Sequence, residues 1–160
     1  MRSFRKIILK RKRVSVIVKY FASDSIGRTF IIRLERGDLL REVLAGLAQK
    51  EKIENAVIVS GIATFDEVNM QMTTTYDYPI GYHSVNLREP LELASLDGTI
   101  IHFEPHIHGV VSNADKTWAG HFLDGCKVLY LGEIAVQELV DINLIRKPDK
   151  NGVRLIYENQ

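Results

Sequence analysis

The chain has one cysteine, Cys126, so no disulfide can close within it, and a reducing compartment is expected. A small buried hydrophobe is the expected role of that residue. The sequence also lacks any apolar run near the roughly 20 residues that span a bilayer, which argues against a helical membrane protein. Its only N-terminal apolar stretch, Ile7-Ile8-Leu9, is too short for a secretory signal and runs into more charge, so a cytoplasmic location is expected. No Gly-x-Ser-x-Gly turn occurs, which removes the usual support for a serine hydrolase. No linker, internal repeat or low-complexity segment appears beyond a basic N-terminus.

Acid is missing from that N-terminus. Residues 1–13, "MRSFRKIILKRKR", carry seven of the twenty-one Lys and Arg, so residues 14–160 hold fourteen basic and twenty acidic side chains, formally −6. A polyanion would be attracted to the tail and mildly repelled by the body. Arg2, Arg5, Lys6, Lys10, Arg11, Lys12 and Arg13 are therefore the candidate nucleic-acid contacts. The plain alternative is a solvated terminus.

What is present reads as one α+β domain of ordinary size over residues 14–160. "VSVIVKYF" (14–21) and "TFIIRL" (29–34) are rich in β-branched residues and predict two strands. Leu39, Leu40, Val43, Leu44, Leu47 and Ala48 then recur at helical spacing, with Arg41, Glu42, Gln49 and Lys50 opposite, which predicts one main amphipathic helix with Asp38 as its N-cap. "AVIVSGI", "EVNMQM", "LELASL", "TIIHF", "HIHGVVS", "LGEIAVQELVDINLI" and "VRLIY" predict further strands of a twisted mixed or antiparallel sheet. "DYPIGY", "DG" and "KPDKNG" read as loops or turns, and "SNADKTWAGHFLDG" as a surface crossing.

Three of the five histidines fall within "HIHGVVSNADKTWAGHF" (106–122). On a strand, His106 and His108 project from one face, with Ile107 on the other, close enough to share an ion. His121 joins them if the chain between folds back, and Gly120 would allow a close backbone approach there. Three neutral imidazoles suit Zn²⁺ with a fourth position open; copper, nickel and iron are also compatible with this ligand type. A cupin reading fails, because "GVVSN" follows where a glutamate is needed. His83 and His102 lie on other segments and read as structural. Glu92 and Glu133 are the weak candidates for a general acid or base, with a surface or pairing carboxylate as the plainer reading.

"PLELASLDGTI", "HIHGVVSNADKTWAGHFLDGCKV" and "GEIAVQEL" together resemble the plant and prokaryote conserved (PPC) domain family. There an E-L-x-S-L-x-G strand precedes H-x-H, then G-G-H, then a closing E-V strand. Here these fall at Glu92 to Gly98, His106 to His108, Ala119-Gly120-His121, and Glu133 onward. The earlier "GRTFIIRLERGDLLREVLAGLAQKEKIENAVIVSGI" resembles the family's glycine-arginine strand, helix and serine-glycine turn, so the likeness runs over residues 26–145. The resemblance implies an α+β, acetolactate-decarboxylase-like fold and a homotrimer. It also implies a divalent metal on His106, His108 and His121, as in the prokaryotic members. Ala119 and Ala63 stand where the family has glycine. No Arg-Gly-Arg-Pro AT-hook occurs, so the minor-groove reader of the plant nuclear members is missing. The function expected from the tail and the family is a regulatory or DNA-binding protein; the alternative, from a three-histidine ion with an open position, is a metal enzyme or a sensor that holds a small ligand on the ion.

Overall fold

The computed structural model describes residues 5–11 and 14–159, with side chains over 18–159. Eleven strands and one helix follow in the order β1 (Arg5–Arg11), β2 (Val14–Tyr20), β3 (Ile26–Glu35), α1 (Leu40–Glu51), β4 (Asn55–Thr73), β5 (Tyr82–Leu87), β6 (Leu91–Ile101), β7 (Glu104–Ser112), β8 (Thr117–Phe122), β9 (Lys127–Leu139), β10 (Leu144–Pro148) and β11 (Arg154–Glu158). Seven of them form one sheet in the order β3-β9-β4-β6-β7-β8, with β5 also on β4. Every pairing among the described residues is antiparallel, so the sheet is antiparallel rather than mixed.

Strand β4 organises the sheet. The sequence predicts two strands here, "AVIVSGI" and "EVNMQM", but one 19-residue strand runs through both. Register shifts between Ile58 and Ser60, Ala63 and Phe65, and Phe65 and Glu67 let it bend without breaking. Its first half lies between β9 and β6, and its second half pairs with β5 and meets β8 at Met70 and Gln71. Because β8 also pairs with β7, the strands β4, β6, β7 and β8 close a ring.

Helix α1 covers the inner face and contacts β7. Leu40, Leu44 and Ala48, spaced four apart, are fully buried, as the sequence periodicity predicts. They join Phe65, Phe122, Ile107, Val111 and Ile134 in one core. Phe65 and Phe122 meet edge to face, with centroids 6.2 Å apart. Burial of each such side chain contributes about 1.5–3 kcal/mol. The helix ends where Lys52 turns left-handed at φ 58° and its N–H reaches the Ala48 and Gln49 carbonyls. Asp38 is not the N-cap: that position is Leu39, without a side-chain cap, and the Asp38 carboxylate instead accepts the Glu35 N–H at 2.7 Å. The first turn is held from outside, by Leu40 N–H on the Cys126 carbonyl at 2.9 Å.

Other expectations also change. "DG" is not a turn, since Asp97 and Gly98 lie inside β6. The reversal comes later, where His102 and Phe103 adopt φ of 51° and 67°. "TWAGHF" is strand β8, and only residues 113–116 make the turn, drawn together by the Asn113 side chain accepting the Asp115 and Lys116 N–H groups. β2 pairs with β1, and β11 with β10, as separate two-stranded sheets, so neither Val14–Tyr20 nor Arg154–Glu158 closes the main sheet. Cys126 is fully buried, as expected.

Candidate metal centre

The β7–β8 hairpin builds the site. Its register sets His108 opposite His121, while the alternation along β7 puts His106 on the same face as His108. His106 and His108 Nε2 atoms are 3.2 Å apart, and one ring nitrogen from each of the three histidines lies within 4.8 Å of the others. Ring centroids are 4.7–5.2 Å apart.

Two glycines allow this convergence. A Cβ on Gly98 would stand 2.3 Å from the His106 carbonyl oxygen, and one on Gly120 would stand 2.8 Å from the Gln71 carbonyl oxygen. A side chain at either place would push β7 off β6, or β8 off β4, and pull the imidazoles apart.

The rings open onto a cleft of about 620 Å³, walled by β4, β5, β7, β8 and the β10–β11 hairpin. A neighbouring cleft of about 770 Å³ shares His106, His108, Arg146 and Arg154. The β10–β11 hairpin is tied on by Arg146 Nη2, which donates to Thr99 Oγ1 at 2.7 Å, and by Arg154 Nη2, 2.7 Å from Glu104 Oε2. From the helix, Arg41 Nη2 donates to the Pro105 carbonyl at 3.2 Å and Nη1 pairs with Asp124. The residue before His106 is thus pinned to α1.

Burial, followed by the positive charges of Arg146 and the neighbouring groups, lowers the His106 pKa to about 4. Burial, then His108, Arg41 and Arg146, lowers that of His121 too. Both rings are neutral at neutral pH, the state that ligates metal. His121 Nδ1 is out of solvent and has no hydrogen-bond partner.

The structure brings together His106, His108 and His121, and leaves the other candidates away from them. Glu92 pairs with Ser112, four residues beyond His108, roughly 13 Å along a strand. Glu133 lies on β9, beside Arg33 and Ile62, three strands from β7. Neither lines the histidine cleft, whose one carboxylate is Glu104. His83 on β5 and His102 at the β6–β7 turn also stay outside it. Of the basic residues at the N-terminus, Arg5, Lys6, Lys10 and Arg11 fall on β1, whereas Arg2, Lys12 and Arg13 lie outside the described residues. Arg41 and Arg146 had no sequence signal as site residues. Arg41 reads as the solvent side of the helix, and Arg146 sits after an apolar run that reads as ordinary strand.

Residues 21–140 match the Plants and Prokaryotes Conserved (PCC) domain family. The chain belongs to that family. Among solved structures, this PCC domain is similar to the plant- and prokaryote-conserved protein of Pyrococcus horikoshii, at 28% identity and a TM-score of 0.73 over 85% of this chain and 95% of that one. It is also similar to a metal-containing protein of Archaeoglobus fulgidus, at 21% identity and a TM-score of 0.73 over 99% and 100% of the two chains. A Bacteroides thetaiotaomicron protein, whose name offers DNA binding as a candidate function, has 20% identity and a TM-score of 0.71 over 84% and 96%. Among curated proteins, the PCC domain is 26% identical over 124 residues to the bifunctional protein GlmU of a Synechococcus strain. That match takes in 76% of this chain but 19% of GlmU, so the chain spans less than a fifth of that relative. No helix among the described residues is long and apolar enough to cross a membrane.

Proposed function

We propose that this PCC-domain protein binds one divalent ion, zinc, through His106, His108 and His121, and acts as a small cytoplasmic regulatory protein that assembles as a homotrimer. The observation that carries the metal is the convergence of three imidazole nitrogens, together with the buried His121 Nδ1, which has no hydrogen-bond partner among the described residues. The fit is good. Two ligands at about 2.05 Å on a tetrahedral ion stand about 3.3 Å apart, and the His106 and His108 nitrogens are 3.2 Å apart. When bound, zinc would supply a Lewis acid beside the cleft, held by His106, His108 and His121. The protein's own residues orient the imidazoles, and burial keeps His106 and His121 unprotonated. The name of the Archaeoglobus relative is consistent with this reading.

Self-assembly is supported by an exposed apolar strip on adjacent strands β3, β9 and β4, where Ile31, Val59, Ile62, Tyr130 and Leu131 are all 48–74% exposed. A closed ring of copies would cover that strip and the β3 edge. Nucleic acid is the proposed partner of the basic segment 1–13, which precedes the proposed domain at 14–160 and whose residues 5–11 pair with Val14–Tyr20. Seven cations without an acid would attract phosphates, three copies would add by avidity, and no base-reading motif is present. The names of the Bacteroides relative and of a Ralstonia one are consistent with that partner.

A second reading is favoured by the cleft itself: a sensor, or a metal enzyme, that holds a small ligand against the ion. Its size falls within the range of small-molecule sites. Neither Glu92 nor Glu133 lines that cleft.

Duplex DNA binding followed by fluorescence anisotropy across a salt series tests the regulatory reading. Deletion of residues 2–13 should abolish most binding and flatten the salt slope while light scattering still reports a trimer. Equal affinity and slope after deletion would move the contact onto the folded body. A monomer at micromolar concentration would end the assembly proposal.

A further inference from the structure

Two arginines beside the histidines are largely withdrawn from solvent, and they differ. Arg41 has a counterion, Asp124, and Arg154 nearby has Glu104. Arg146 pairs with no carboxylate among the described residues. Its hydrogen bond goes to the neutral Thr99 hydroxyl, while among the described residues Nε, out of solvent, has no partner and Nη1 makes no hydrogen bond. Glu104 acts on Arg146 through space but is itself bonded to Arg154, and a half-buried guanidinium without a direct ion pair is costly unless something else supplies the charge.

Its place shows what that would be. Thr99 faces His106 across the β6–β7 pairing, so the hydroxyl that orients Arg146 stands beside the cluster. Arg146 lines both clefts and forms part of the wall between them. Arg41 and Arg154 are paired with their own carboxylates, so of the three arginines that line the histidine cleft Arg146 alone is in no ion pair among the described residues. A dication held by the three histidines would add two more positive charges.

We propose that the cleft receives a small molecule through an oxyanion, a carboxylate or a phosphate, gripped by Arg146 and placed against the open side of the histidine cluster. The inference deepens the metal reading and rests on it for the second contact. The guanidinium is a planar fork that matches either oxyanion by two parallel hydrogen bonds. Because the cleft of about 620 Å³ exceeds a lone oxyanion, the ligand has a body beyond its charged group.

Titration calorimetry on zinc-loaded full-length protein, with inorganic phosphate in one arm and malonate in the other, tests this. At least one should bind saturably, and the stronger arm identifies the oxyanion. Arg146→Gln should weaken it roughly ten- to a hundredfold while zinc content stays that of the wild type. Arg146→Lys, which keeps charge but loses the fork, should fall between. If Arg146→Gln does not fold, Thr99→Val removes only the orienting hydroxyl and should weaken binding in the same direction. No saturable binding of either anion by zinc-loaded protein, or equal binding by Arg146→Gln, overturns the proposal and leaves the metal site standing. Failure to retain zinc, with Arg146-dependent anion binding intact, rejects the metal reading and upholds the guanidinium contact.

Discussion

Cys126 and His121 stand five residues apart, one just past strand β8 and one within it, and the fold treats their polar atoms in opposite ways. The Cys126 thiol is fully buried and lies within 3.3–3.4 Å of three backbone groups: the Asn69 N–H, the Asn69 carbonyl and the Leu123 carbonyl. Burial raises its pKa to about 11, so it stays protonated and unreactive. His121 keeps Nδ1 buried and unpartnered. Of the five such side-chain atoms among the described residues, three (Arg41 Nε, His121 Nδ1 and Arg146 Nε) belong to residues that line the histidine cleft. The other two, Asn55 Oδ1 and Asp66 Oδ1, lie elsewhere, whereas the Cys126 thiol is fully partnered and three open groups collect around the histidines. Unsatisfied groups gathered in one cleft point to a guest rather than to poor packing.

Several changes would sharpen or break this contrast. Phe122→Ala removes a fully buried ring packed on Phe65 and should cost about 3–5 kcal/mol, read as a lowered denaturation midpoint. Gly98→Ala should be nearly as severe, because its Cβ meets backbone at 2.3 Å, and it should also reduce metal content; unchanged content would show that the strand spacing does not set the site. Metal-free protein should lose stability in acid. The folded-state pKa of His106 is depressed to about 4, below the ordinary 6.5, so the stabilisation is present above pH 6.5 and is lost as pH falls through 4. Thermal midpoints over pH 7 to 4, with chelator and with zinc, check the sign, and a rise on acidification would contradict it. The smallest effect is expected from Glu92→Gln and Glu133→Gln, each within about 0.5 kcal/mol and with metal content unaltered.

The sequence reveals the two features with the strongest local periods. Apolar residues at helical spacing mark α1, and His-x-His on an alternating strand marks two ligands. The third ligand needs tertiary information. His121 reads as part of a loop because Ser112 to Lys116 carry turn composition, yet the turn takes only residues 113–116 and the rest pairs back onto β7. Asp97-Gly98 reads as a turn for a related reason: a glycine required by the close approach of the neighbouring strand resembles one required for reversal. The cleft wall was the least legible part. Arg146 reaches the histidines only because Asn143 onward turns back and a small separate hairpin leans on Thr99 and Glu104, contacts without a sequence signature.

The most direct test of the open site is metal analysis of purified protein by inductively coupled plasma mass spectrometry, for the wild type, His106→Ala and His121→Ala, each checked for fold by circular dichroism. The wild type should carry one zinc per chain, and each folded variant should carry little or none. Equal metal in all three, or none in the wild type after zinc loading, would contradict a metal centre built from His106, His108 and His121.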